Sequence, residues 1–128
     1  MYSRIRPVRR VPLPGLEGEV RLELAFETKE LRNICENEAE AMRQLGDAVA
    51  EVLKHRLADL DAATSPDDLI AGNPRIAPGK DAMTIDLSEG YTLVFTPNHP
   101  HNPTKAAGEI DWGKVSRIRI LQIRRQHA

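Results

Sequence analysis

Residues 19–28 read Glu19-Val20-Arg21-Leu22-Glu23-Leu24-Ala25-Phe26-Glu27-Thr28, and this stretch decides the fold class. Val20, Leu22, Leu24 and Phe26 fall on one side of an extended chain, with Glu19, Arg21 and Glu23 on the other. A period of two with one apolar side predicts a half-buried strand. At Thr28 the period changes. A threonine hydroxyl can accept an orphan N–H at the start of a helix, and Glu30 in the first turn suits its positive end. A strand that feeds a helix calls for both a sheet and a helical layer.

The residues that follow bear the helical layer out at sequence level. Leu31, Ile34, Cys35, Met42 and Leu45 recur at helical spacing, and after Gly46-Asp47 a second stripe runs through Val49, Val52, Leu53, Leu57 and Leu60. The short connection predicts an antiparallel helical hairpin, which Thr64-Ser65-Pro66-Asp67-Asp68 brings to a stop. Ile70 to Asp81, with Gly72, Pro74, Pro78 and Gly79, reads as a loop. Met83 to Leu87 and Tyr91 to Thr96, joined by Ser88-Glu89-Gly90, read as a β-hairpin.

A long loop from Pro97 to Gly113 leads to a last strand, Val115 to Ile123. Its alternation is uneven. Ile118 and Ile120 share one side, whereas Val115, Leu121 and Ile123 share the other with Arg117 and Arg119. A bulge that shifts the register and a central strand covered on both sides both account for this. Phe26 and Tyr91 read as core residues, and Ile110 and Trp112 as anchors of the long loop. The expected architecture is α+β, a small antiparallel sheet with an N-terminal helical hairpin packed on one face.

Residues 1–18 interleave Arg4, Arg6, Arg9 and Arg10 with Pro7, Pro12 and Pro14, which predicts a flexible arm; residues 19–128 are expected to form a single domain. With 41% hydrophobic and 29% charged residues, the 128-residue chain has the composition of a soluble globular protein. No apolar run approaches the roughly 20 residues of a membrane span. Prolines and glycine occupy the place of a signal peptide's apolar region, so a cytoplasmic location is expected.

Cys35 is the only cysteine, which excludes an internal disulfide and a cysteine-rich zinc site; its apolar neighbours predict a small buried side chain. His99 and His101, taken with His55 and Asp111, are too scattered for a ligand set, so no metal and no other cofactor is expected. The net charge is −1, but from Gly113 onward Lys114, Arg117, Arg119, Arg124 and Arg125 stand without an acid. Such a basic edge suits a polyanion. Charges on a terminal strand also protect sheet edges from pairing.

Three runs carry a resemblance. They are Leu31-Arg32-Asn33-Ile34-Cys35-Glu36 with Leu45-Gly46-Asp47-Ala48-Val49-Ala50 and Arg56-Leu57-Ala58-Asp59-Leu60-Asp61-Ala62-Ala63; Gly90-Tyr91-Thr92-Leu93-Val94-Phe95; and Gly108-Glu109-Ile110-Asp111-Trp112 through Ile118-Arg119-Ile120-Leu121-Gln122-Ile123. In this order they resemble the HigB-like plasmid maintenance killer proteins of the RelE/ParE toxin superfamily, over roughly Leu22 to His127.

The resemblance implies a toxin of a type II toxin–antitoxin system that cuts mRNA on the ribosome without a metal. The ribose 2′-hydroxyl attacks the adjacent phosphate while the protein moves protons and stabilises the oxyanion. It also implies a helix-turn-helix, HigA-like antitoxin, through which alone the protein meets operator DNA. Mapped onto this chain, the catalytic candidates are His127, Lys80 and Arg75, and the RNA-binding candidates are Arg117, Arg119, Arg124 and Arg125.

The chain departs from the family pattern at several of these places. Arg75-Ile76-Ala77-Pro78-Gly79-Lys80-Asp81 stands where the family has His-x-Leu-Lys-Gly-Asp-Arg, Thr92 replaces an arginine, and the terminal Arg125-Gln126-His127 keeps only the histidine of Asp-Tyr-His. Three functions therefore stay open. They are a ribosome-dependent endoribonuclease, a non-cleaving homologue that only binds its antitoxin, and a ParE-type toxin with another target such as gyrase.

Overall fold

The computed structural model describes residues 21–79 and 81–125. Strand β1 (Glu23–Phe26) is followed by helices α1 (Lys29–Glu36), α2 (Glu38–Leu45) and α3 (Asp47–Ala62). The short strand β2 (Arg75–Ile76), the hairpin β3 (Met83–Asp86) and β4 (Tyr91–Pro97), and the last strand β5 (Arg117–Arg125) complete the described chain. Single 3-10 turns stand at Pro66–Asp68 and Trp112–Lys114.

Thr28 caps α1 as its position predicts, its Oγ1 accepting from Leu31 N at 3.1 Å. The expected two-helix hairpin is instead three helices. Asn37 divides the first: its backbone N–H still bonds Asn33 O, while its side chain accepts from Glu40 N and starts a new helix. An Asx residue offers the backbone this alternative partner wherever it falls in a helical run.

The strands form one sheet in the order β1-β5-β4-β3-β2. The sheet is mixed and not antiparallel, because β1 pairs parallel to β5, with Leu24 opposite Ile118 and Phe26 opposite Ile120. Alternation marks which side of a strand is buried but carries no direction. The segment expected as pure loop contributes an edge strand, Arg75 opposite Thr84 and Ile76 opposite Met83.

Of the two explanations of the uneven last strand, the bulge holds; β5 is central, but the helices cover only one of its sides. β5 lies between β1 and β4, and its pairing jumps from Phe95↔Ile120 to Val94↔Gln122, leaving Leu121 as the extra residue of a bulge. The bulge returns Ile123 to the side of Ile118 and Ile120, opposite Leu93. That corrects the expected grouping of Ile123 with Arg117 and Arg119.

One core joins the layers. Leu31, Cys35, Leu53, Leu57 and Leu60 of the helices pack with Met83, Ile85, Leu93, Phe95, Ile118 and Ile120 of the sheet. By register these sheet residues share a single side, which the helices cover; the other side is open along β5, where Arg117, Gln122 and Arg124 are exposed, while Thr84, Thr92 and Val94 of β3 and β4 are buried. Cys35 is buried there, and Trp112 meets Phe95 edge-on with ring centroids 6.3 Å apart, anchoring the long loop. Tyr91 does not join this core. It is half-buried at the last rung of the sheet, with the Arg125 guanidinium 5.7 Å from its ring centre. No helix among the described residues is long and apolar enough to cross a membrane.

Candidate functional site

The open side of the sheet gathers four of the candidate arginines. Arg75 stands opposite Thr84, Thr84 opposite Val94, Thr92 opposite Arg124, and Thr96 opposite Arg119, so these residues share a side; Arg117 joins them two positions before Arg119. Arg125 does not, because its place opposite Tyr91 puts it on the helical side. Consecutive residues of a strand point to opposite sides, so Arg124 and Arg125 cannot serve the same surface. Lys80 and His127 lie outside the described residues.

The sequence hid the acids that face these arginines. Arg75 Nη2 is 3.0 Å from Asp86 Oδ1, Arg117 Nε is 3.1 Å from Glu23 Oε1, and Arg119 Nε is 3.0 Å from Glu27 Oε1. Two of the three partners reach the arginines only because β1 runs parallel beside β5, which no pattern along the chain displays. Arg124 carries no ion pair among the described residues. Four arginines against three carboxylates leave one positive charge in excess.

All three pairs are about half exposed, and pairs of that kind contribute roughly 0–1 kcal/mol. A phosphate with two oxygens presented to a guanidinium competes with such a carboxylate on favourable terms. The face therefore offers exchangeable cations rather than a free positive field.

Apart from the three paired carboxylates, the described part of this face offers only threonine hydroxyls for proton transfer, and these are engaged. The hydroxyls of Thr84, Thr92 and Thr96 donate to the carbonyls of Arg75, Arg124 and Asp81. His55 sits on α3 beside Glu51, at 3.1 Å. His99 is a structural acceptor: its Nε2 takes hydrogen bonds from Ser116 N at 3.0 Å and Arg117 N at 3.3 Å, tying the long loop to the start of β5. Among the described residues no three His, Cys, Asp or Glu side chains converge as a metal site.

Burial holds the His99 imidazole below its ordinary pKa, with Arg117 acting in the same direction and Glu23 against it. The unfolded chain then takes up a proton at higher pH than the folded one. His99 should stabilise the fold fully above its unfolded value of 6.5, and less as the pH falls through the folded value. The melting temperature should drop as the pH falls below 6.5, and His99→Gln, which keeps an acceptor without titrating, should flatten that drop. An equal drop in the variant would remove His99 from the account.

A cleft of about 410 Å³ runs along the β2 edge between Ile76, Pro78, Ile110 and Trp112. Glu109 is the one charged residue of its lining, which holds none of the arginines. No family model, no curated protein and no solved structure matches the chain.

Proposed function

We propose that this chain is the toxin half of a toxin–antitoxin pair, related to the HigB-like killer proteins, and that it holds RNA on the open side of its sheet. The observation that carries this reading is the shared side of Arg75, Arg117, Arg119 and Arg124, in a sheet whose other side is closed by helices. The α+β order of strand, helices, hairpin, long loop and last strand supports this reading, while the sheet is mixed and the helices three where an antiparallel sheet and a helical hairpin were expected. Phosphates of a single strand would displace Asp86, Glu23 and Glu27 from their arginines, releasing counterions and making binding salt-dependent. A helix-turn-helix antitoxin would neutralise the protein by covering the same side.

Cleavage in this reading rests on His127 as proton carrier and Lys80 as the second cation. The 2′-hydroxyl gives up its proton as its oxygen bonds to phosphorus, the P–O5′ bond breaks, and the departing 5′-oxygen takes a proton, leaving a 2′,3′-cyclic phosphate. A second reading, a binder that does not cut, is favoured by one observation: the threonine hydroxyls of this face are spent on backbone carbonyls and each of its three carboxylates is paired with an arginine.

Inducing the chain alone in cells and mapping mRNA 5′ ends separates the two. Cuts on the ribosome that vanish in His127→Ala support the nuclease, no arrest at all supports the binder, and arrest without cuts points to a toxin with another target. Binding itself is read by anisotropy of a labelled single-stranded RNA. Arg124→Glu should weaken it by about tenfold or more, and Arg124→Ala should reduce the salt slope by about one. Unchanged affinity in both variants would defeat the proposal.

A further inference from the structure

The turn joining β3 to β4 holds a glutamate where glutamate is costly. Tyr91 N donates to Ser88 O at 3.0 Å, and both central residues have positive φ, 58° at Glu89 and 79° at Gly90. This is the I′ geometry, whose first central position favours Asn, Asp or Gly. Nothing in the turn needs the longer acid. Locally unfavourable residues of this kind concentrate where a side chain is used for something else.

Glu89 stands beside a cleft of about 300 Å³ whose lining includes Leu45, Asp47, Val49, Tyr91 and Arg125. The cleft lies at the sheet end where α3 begins. Arg125 and Tyr91 form its cationic and aromatic wall, and Asp47 and Glu89 bring two carboxylates to it. Arg124, the residue before Arg125, points to the open side opposite Thr92. The last rung of the sheet thus places an arginine for a backbone phosphate next to a cleft round the strand end.

We propose that this cleft binds a guanine base of the RNA whose backbone crosses the open face, so that the chain reads one base as well as holding phosphates. The inference rests on the RNA-binding reading above. Tyr91 and Arg125 supply a platform on which any base can stack. The carboxylates supply the choice, because an ionised carboxylate only accepts hydrogen bonds. Guanine puts an N1–H and an amino N–H side by side, matching the two oxygens of one carboxylate. Adenine and cytosine offer one amino group beside an acceptor nitrogen, and uracil one N–H between two carbonyls, so each sets a lone pair against the acid. A phosphate is the poorer occupant, since Asp47 and Glu89 both repel it.

The test is anisotropy of the full chain with a short labelled single-stranded RNA carrying one guanine, and with the same RNA carrying inosine or adenine there. Wild type should prefer guanine over adenine by about tenfold or more, with inosine, which lacks the amino group, in between. In Glu89→Asn, affinity for the guanine RNA should fall to the wild-type level for the adenine RNA, while the melting temperature stays level or rises because Asn suits the turn. RNA binding without any base preference, or a preference untouched by Glu89→Asn and by Asp47→Asn, overturns this inference and leaves the RNA reading standing. No binding to any of the RNAs overturns both.

Discussion

Replacing Phe95 with alanine should destabilise the protein by about 4 kcal/mol, the largest loss expected from any single truncation in the sheet. Phe95 is fully buried on β4, with Met83 on one neighbouring strand and Ile120 on the other. Its loss removes the transfer energy of an aromatic ring and leaves a cavity whose walls belong to three strands, which cannot close together without breaking register. The edge-on contact with Trp112 adds about 0.5–1.5 kcal/mol beyond area burial. Against a typical total of about 5–15 kcal/mol, the variant should be close to unfolding.

Urea unfolding measures this, as a fall in midpoint at unchanged slope. Trp112 is the only tryptophan, so its emission reports separately on the loop it anchors. In Phe95→Ala the folded-state emission should shift to the red as Trp112 loses its partner. Phe95→Leu should cost less than half as much, because most of the volume is kept. A midpoint that hardly moves in Phe95→Ala would mean that this ring is not at the centre of the core.

How far the sequence foretold this arrangement follows from which forces act locally. Leu22, Leu24 and Phe26 announce β1 because burial on one side imposes a period of two, and Thr28 announces α1 because capping is a three-residue interaction. The β3–β4 hairpin was legible for the same reason. The parallel pairing of β1 with β5 was not, since nearly a hundred residues separate the partners and neither strand's composition encodes direction.

The candidate site suffered most from that gap. Arg117 and Arg119 read as an acid-free basic edge, yet Glu23 and Glu27 lie beside them in space. The bulge at Leu121 likewise puts Arg124, and not Arg125, on the side of Arg117 and Arg119, although a plain count of charges treats the two as one patch. Glu89 left a local trace, an acid at the first central position of a turn, but its meaning needed α3 to arrive on the other side of the cleft.

Gly72→Ala is the second substitution expected to act strongly, at about 3 kcal/mol, and the reason lies in backbone rather than burial. Gly72 has φ +86°, a region in which an added Cβ is strained wherever it stands. Here it also has nowhere to go. The new atom would overlap Cγ2 of Ile85 and come within 3.0 Å of Asp86 O and 3.1 Å of Arg56 Cδ. Ile85 is locked in the core, and the Asp86 backbone is tied to Gly72 itself by a 2.6 Å hydrogen bond to the glycine carbonyl. Neither neighbour can yield alone.

Gly46 provides the comparison that separates the two causes. It has φ +88° but no atom within 4 Å of an added Cβ, so Gly46→Ala should cost only the conformational part, about 1 kcal/mol. The difference between the two variants, read from denaturant midpoints, is the steric part. Equal losses would show that the loop at Gly72 relaxes freely. A larger loss at Gly72 should also reach the arginine side of the sheet, because displacing Asp86 moves the carboxylate that now faces Arg75, whereas Gly46→Ala should leave that pair in place.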